Sequence, residues 1–450
     1  MDQRTQQFLH DPIAPLLVRM STPNTISFLT QAIVNLTEIW FIGQLGVTPL
    51  AAVALAFPLF MVNATMSGGA FGGAVNSAIA RSLGSGQADR AERLLWHTIM
   101  LCAAGALCFL LLFLLFGRDL LVLLGGRDEI IDNALAYCHV VFLGGIFLWF
   151  NGGLQAVFRG MGNMRFPAVV TVTGSAVQIV LSAGLILGHF GFPKLGFLGA
   201  AVSPMVSAAF MSTVMVVALM GSNQAVKLRL SRFAFDSELF RDILQVFLPA
   251  SISPLATAGT TLALTGLVGQ FGTVALAGYG IGSRVEVMMI PLVFGIGTSM
   301  TAMVGANVGA KNIRRAERIG LIGGLAGAML SGSIGIILAI FPDMWITLLT
   351  DDPATVLAAT KYIQIVGPCY LFFGVGLCLY FASQGAKAMR WPIVAVGSRF
   401  LIVSCGGFVV SEWLFEGIEA VYIIAAAGMI VFGVMNALAV RGGAWRRANM

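Results

Sequence analysis

Charge is what this sequence has least of. Only 10% of its 450 residues are Asp, Glu, Lys or Arg, against about 25% in ordinary soluble domains. That scarcity excludes a normally hydrated surface, and with it a soluble fold. Histidine is scarce too: His10, His97, His139 and His189 are scattered and form no metal-ligand cluster. The six cysteines, Cys102, Cys108, Cys138, Cys369, Cys378 and Cys405, all fall in apolar stretches without CxxC spacing. They read as small buried hydrophobes, with no metal site and no disulfide framework. A Walker A motif is lacking, which excludes nucleotide-driven pumping by this chain, and no cofactor is implied. There are no acids or histidines clustered at one membrane face, as a membrane-embedded enzyme would need. The alternating segments of a β-barrel, roughly ten residues each, are missing as well. The opening MDQRTQQFLHDP is polar and lacks the basic-then-apolar layout of a signal peptide, so no cleaved leader is expected.

What is present is long apolar runs: 58% of the chain is hydrophobic. Runs of about 20 residues are long enough to cross a bilayer as helices. They are predicted near 16–40, 50–79, 94–116, 132–156, 168–190 and 196–220, then near 243–268, 275–304, 319–341, 358–381, 393–411 and 419–440. The expected fold is therefore an all-α integral membrane protein of twelve transmembrane helices in two six-helix lobes. The N-lobe is 1–220, the linker 221–242, and the C-lobe with its basic tail 243–450. The SRFAFDSELFRD stretch of the linker reads as a short amphipathic surface helix.

Basic residues gather in alternate loops. One side holds Arg4, Arg19, Arg81, Arg90, Arg93, Arg159, Arg165, the linker cations, Lys311 to Arg318, Lys387, Arg390 and the tail; the other holds Arg118, Arg127, Lys194 and Lys361. By the positive-inside rule the rich side is cytoplasmic, with both termini inside. The net charge of +6 thus reports topology, and nucleic acid is not an expected partner.

The chain also repeats itself. Gly84, Glu92, Arg93, Tyr137, Gly160, Arg165 and Pro167 recur 225 positions later as Gly309, Glu317, Arg318, Tyr362, Gly385, Arg390 and Pro392. Pro23 pairs with Pro249, and GQLG at Gly43–Gly46 pairs with GQFG at Gly269–Gly272. An even number of spans per unit gives parallel repeats, related by an axis along the membrane normal. Pro23, Pro58, Pro249, Pro254 and Pro291 fall inside spans, where proline removes a backbone donor and kinks the helix. Glycines at Gly68, Gly69, Gly72, Gly73, Gly295 and Gly297 permit close helix packing.

Intramembrane ionisable residues are expensive and therefore functional candidates. Glu38 and Glu286 are the acids placed well inside spans; Asp343, Asp351, Asp352, Glu412, Glu416 and Glu419 lie at span ends or in outer loops. Ser27, Gln31, Asn35 and Glu38 form one polar stripe on span 1, and Thr171, Ser175, Gln178 and Ser182 form another on span 5. Facing each other, they would make a small polar chamber in which a poorly solvated carboxylate can trade its charge for a proton; the bland alternative is a permanently hydrogen-bonded packing seam. Arg284 and Glu286 are two residues apart and point to different sides, so each needs a partner elsewhere: a structural ion-pair network or a second charge site. Arg399 reads as a packing residue. Glu38 has Leu264 as its repeat counterpart and Glu286 has Phe60; the scaffold was duplicated and the acids were not.

Six segments carry a family resemblance: NLTEIWFIGQLG at Asn35–Gly46, ARSLGSGQADRAER at Ala80–Arg93, FRGMGNMRFP at Phe158–Pro167, ALAGYGIGSRVEVMMIP at Ala275–Pro291, GANVGAKNIRRAER at Gly305–Arg318 and SQGAKAMRWP at Ser383–Pro392. In this order across twelve spans, the chain resembles the multidrug and toxic compound extrusion transporters over its full length. The resemblance implies a V-shaped pair of lobes that export amphipathic, often cationic, organic compounds in exchange for protons or sodium ions. Glu38 falls on that family's functional acid of helix 1. Gln178 and Ser182 stand where one branch has an Asn and an Asp, and Thr257 and the Phe373–Gly374 region stand where another has acids. Hard cations want several oxygen ligands including carboxylates, so protons suit Glu38 better than sodium. The expected protein is a monomeric proton-coupled antiporter of a bacterial inner membrane, using Glu38, Asn35, Gln31, Gln178 and Ser182 for coupling, Pro23 as the kink, and Glu286 with Arg284 as a second charge site. Sodium coupling, a lipid or lipid-linked oligosaccharide flippase, and a channel are the alternatives.

Overall fold

A computed structural model describes residues 2–221, 224–409 and 417–449; Glu412 and Glu416 lie outside the described residues. Every regular element among those described is a helix. Span 1 is Ile13–Gly43, span 2 Val47–Gly84, span 3 Ala88–Leu123, span 5 Arg165–Leu187 and span 6 Phe197–Met220. Span 7 is Ser237–Gly269, span 8 Thr273–Gly309, span 9 Ile313–Ile340, span 10 Pro353–Gly385, span 11 Arg390–Val409 and span 12 Ile418–Arg441. Span 4 is a pair, Glu129–Leu143 and Gly145–Gly160, bent by 47°. The helices outrun the apolar stretches that revealed them, most of all at the basic end. There their last turns are polar and carry no hydropathy signal.

Breaks fall where the backbone chemistry places them. Span 2 holds a π-helical turn at Met66–Phe71, containing Gly68 and Gly69, and span 10 narrows to a 3-10 turn at Gly367–Cys369 around Pro368. Wider and tighter turns of this kind absorb an irregular hydrogen-bond count inside a continuous helix. The linker departs from expectation. SRFAFDSELFRD makes no separate surface helix: a single 3-10 turn spans Leu230–Arg232, and span 7 itself begins at Ser237. Asp236 starts it, accepting from the Glu238 amide at 3.0 Å, and a good N-cap favours extending span 7 over forming a detached helix.

Span 8 is the hub. It packs on spans 9 and 10 of its own lobe and on spans 1 and 2 of the other. Gly295 lets it press against the backbone of Thr25 on span 1. Across the lobes, Asn24 Nδ2 donates to Thr298 Oγ1 at 3.1 Å and Ser299 Oγ at 3.0 Å. Asn76 Nδ2 donates to the Thr298 carbonyl at 2.9 Å, and Ser77 Oγ to the Gln384 carbonyl at 2.6 Å. Deeper still, Gly84 lies against the Ala306 carbonyl and Gly309 against the Arg81 carbonyl. Among the described residues all cross-lobe hydrogen bonds and ion pairs occupy the half that holds the basic loops and both termini. The polar joint between the lobes lies there.

Candidate functional site

The two polar stripes of the N-lobe meet because span 1 packs on span 5. Gln178 Nε2 donates to Glu38 Oε1 at 2.7 Å, and Ser182 Oγ donates to the same oxygen at 3.1 Å. Tyr137 of span 4 is buried within electrostatic reach of the carboxylate. Thr171 and Ser175 are buried with hydroxyls that have no partner among the described residues. Gln31 and Asn35, half-buried on span 1, make no hydrogen bond to Glu38. Ser27 donates back to the Pro23 carbonyl at 3.1 Å. The structure therefore brings Glu38, Gln178 and Ser182 into contact and leaves Gln31 and Asn35 along the approach. Amide and hydroxyl groups both donate and accept. Gln178 and Ser182 can thus satisfy Glu38 charged, and by flipping an amide or turning a hydroxyl they can satisfy it neutral.

The second acid has a different setting. Arg399 of span 11 donates through Nη2 to Glu286 Oε1 at 3.0 Å, with both side chains largely buried. The guanidinium also lies 5.3 Å from the Phe373 ring centre. Arg284 is exposed and stands apart from this pair. A guanidinium only donates, so this pair lacks the reversible donors and acceptors that surround Glu38. Periodicity gave Arg399 a packing role, because the contact between spans 8 and 11 has no trace in the linear sequence.

Sequence reasoning missed the joint at the basic end. Asp242, in the first turns of span 7, is met by Arg81 at 3.0 Å, Arg90 at 3.1 Å and Lys387 at 2.7 Å. Arg81 and Arg90 come from the N-lobe, Lys387 from the C-lobe. Lys387 adopts φ +55°, left-handed backbone that costs a non-glycine residue about 1–2 kcal/mol. Its repeat counterpart is Gly162, at φ +76°. A lysine in the conformation of a glycine was the available signal. Glu92 and Glu317, repeat counterparts of each other, anchor the polar segment that trails each lobe: Glu92 lies 3.6 Å from Arg232 of the linker, and Glu317 takes Arg446 of the tail at 2.5 Å.

Comparison with known proteins agrees with this architecture. The MatE family model matches the chain twice, over residues 23–183 and 249–409. The chain belongs to the MatE family. A probable multidrug resistance protein, YoeA of Bacillus subtilis (strain 168), is 24% identical over 83% of this chain and 81% of that protein. An FAD transporter of Shewanella oneidensis is 27% identical over 83% of this chain and 82% of that protein. A crystal structure of a MATE protein in its bent conformation shares the fold with a TM-score of 0.91 and 23% identity, covering 100% of this chain and 99% of that one.

This MatE protein is accordingly a multi-pass membrane transporter of a multidrug efflux family and has no enzymatic role. The two matched blocks begin at Pro23 and Pro249, the prolines that mark the duplication. Of the positions to which the family resemblance pointed, Glu38, Gln178 and Ser182 form a bonded group. In the C-lobe the Phe373 position supplies a ring to Arg399.

Proposed function

We propose that this MatE protein is a proton-driven antiporter that expels amphipathic organic compounds through a bacterial inner membrane, with Glu38 carrying the coupling proton. One observation carries the reading: Glu38 is held only by groups that can reverse their hydrogen bonds, Gln178 at 2.7 Å and Ser182 at 3.1 Å. The two bonds return about 1.5–3 kcal/mol each to the charged form, against a desolvation cost that reaches several kcal/mol for a fully buried ion and is smaller for the half-buried Glu38. With costs and returns of similar size, gain and loss of a proton are both accessible. Among the described residues no cluster of three acid, histidine or cysteine side chains offers a cation cage, which weighs against sodium. Protonation would release Gln178 and Ser182, relax span 1 against span 5, and bend span 1 at Pro23, where the helix already lacks a backbone donor. The basic face, by the positive-inside rule, is the cytoplasmic one, so the lobes are joined on the cytoplasmic side and would open outward.

The test is dye efflux from proteoliposomes under an imposed proton gradient and, separately, a sodium gradient. Proton-driven efflux in the native chain, cut at least about tenfold and made insensitive to pH by Glu38→Gln, is the expected result. Efflux driven by sodium alone, or an unaltered pH profile in Glu38→Gln, would overturn it.

A further inference from the structure

The N-lobe holds a buried cation that pairs with no carboxylate among the described residues. Arg159 stands in the last turn of the helix Gly145–Gly160 and is 6% exposed. The basic-loop reading of the sequence placed it in water; it is instead in the interior. Arg81 and Arg399, which also reach the interior, each have a carboxylate at 3.0 Å. Among the described residues Arg159 has none.

The groups around it are neutral. Arg159 Nη2 donates to Gln155 Oε1 at 2.7 Å, and Gln155 Nε2 donates in turn to Asn151 Oδ1 at 3.1 Å. The three are spaced by four, so they stack as a ladder on one side of the helix. The guanidinium points back along the helix, away from the free carbonyls at its C-terminus, so the helix end does not compensate the charge. Its Nε is buried and has no partner among the described residues. The guanidinium lies 5.2 Å from the ring centre of Phe28. A cation–π contact and one bond to a neutral amide recover only a minor part of what burial of a full charge costs. The repeat sharpens the point: the C-lobe counterparts of Asn151, Gln155 and Arg159 are Gly376, Tyr380 and Gln384. The ladder is therefore particular to the N-lobe and does not belong to the duplicated scaffold.

Its position suits a ligand. Phe28 is covered from the other lobe by Phe294, edge to face with ring centres 5.7 Å apart, in the half of the molecule where the lobes are joined. A parting of the lobes there would draw Phe294 off Phe28 and open the ring and guanidinium to the basic side together.

We propose that Arg159, oriented by Gln155 and Asn151, binds the carboxylate or phosphate group of an amphiphilic substrate, and that Phe28 receives the flat apolar body attached to it. The substrate class of the efflux reaction then includes anionic and zwitterionic amphiphiles beside cations. For transport this rests on the proton-antiport reading; binding at Arg159 does not.

The test is equilibrium binding to the full chain in phosphatidylcholine nanodiscs with no ion gradient, so failure of proton coupling leaves it untouched. Two dyes on one ring system serve as probes, fluorescein, which bears a free carboxylate, and rhodamine 6G, a cationic ester. Arg159→Gln should weaken fluorescein at least tenfold and rhodamine 6G less than twofold. Gln155→Glu keeps the arginine and gives it an internal counter-ion, and should produce the same selective loss in a chain with no charge left stranded. Displacement of fluorescein by added phosphatidylglycerol would assign the anion to a lipid headgroup; lack of displacement would assign it to a soluble amphiphile. Equal loss of both dyes in Arg159→Gln with normal fluorescein binding in Gln155→Glu would overturn the proposal, as would fluorescein binding that neither substitution changes.

Discussion

Glu38 and Glu286 are both intramembrane carboxylates, and what separates them is the kind of donor each meets. Glu38 faces an amide and a hydroxyl; Glu286 faces a guanidinium. The second pair should therefore behave as structure. Arg399→Ala strands a buried carboxylate, a loss of about 3–5 kcal/mol for such pairs, and should lower the detergent melting temperature sharply. The double substitution Glu286→Leu with Arg399→Met should restore it to near the native value and leave efflux pH-dependent. A double variant that melts normally but has lost proton coupling would move the coupling site to Glu286. At this scale the sequence was partly legible. Spacing put Glu38 on a polar stripe of span 1 and Gln178 with Ser182 on one of span 5; that the two stripes meet comes from the packing of the spans. Arg399 could not be assigned to Glu286, because 113 residues and two spans separate them and no periodicity links one span to a non-neighbour.

Among elements, the first turns of span 7 and the loop between spans 10 and 11 carry the joint at the basic end. Asp242 satisfies three cations at once, so its removal does more than delete bonds. Asp242→Asn leaves Arg81, Arg90 and Lys387 facing one another, and the lobes should separate there. Paired spin labels at Gln87→Cys and Arg314→Cys, in a background without the exposed Cys108 and Cys405, should report a longer mean distance. An unchanged distance distribution would show that the joint holds by packing alone. Lys387→Gly removes one of the three cations while relieving the left-handed backbone, worth about 1–2 kcal/mol. It should therefore shift the distribution less than Asp242→Asn and should raise thermal stability slightly. Element order was legible because each lipid-crossing run announces itself in hydropathy. The ends were not, since the segments that build this joint are polar helix extensions that composition cannot tell from loops. The linker shows the same limit, where SRFAFDSELFRD has amphipathic spacing and the chain instead starts span 7 at Ser237.

At the scale of the molecule, duplication predicted the two-lobe plan, and the MatE match over 23–183 and 249–409 repeats it. Sequence identity between the halves could not say where the axis relating them is occupied by atoms. The glycines answer that. Gly84 abuts the carbonyl of Ala306, and Gly309 abuts the carbonyl of Arg81; Arg81 and Ala306 are themselves repeat counterparts. A methyl group at either glycine has no room, and overpacking of this kind costs typically about 1–3 kcal/mol. Gly84→Ala and Gly309→Ala should each shift the spin-label distribution toward separation by about five- to a hundredfold in population. The double variant should go little further than either alone. Full additivity would mean that the two contacts open independently. The reason for expecting otherwise lies in the geometry of exchange. Each half offers the other the same glycine and the same carbonyl, as the two subunits of a symmetric dimer do, although here one chain supplies both. Such a handshake has no half-released form: a rotation of the lobes that frees one contact frees its mirror in the same motion. The shut state of this transporter is thus a self-dimer folded into a single polypeptide, and its opening is a two-position event for the same reason that a two-fold dimer is either associated or not.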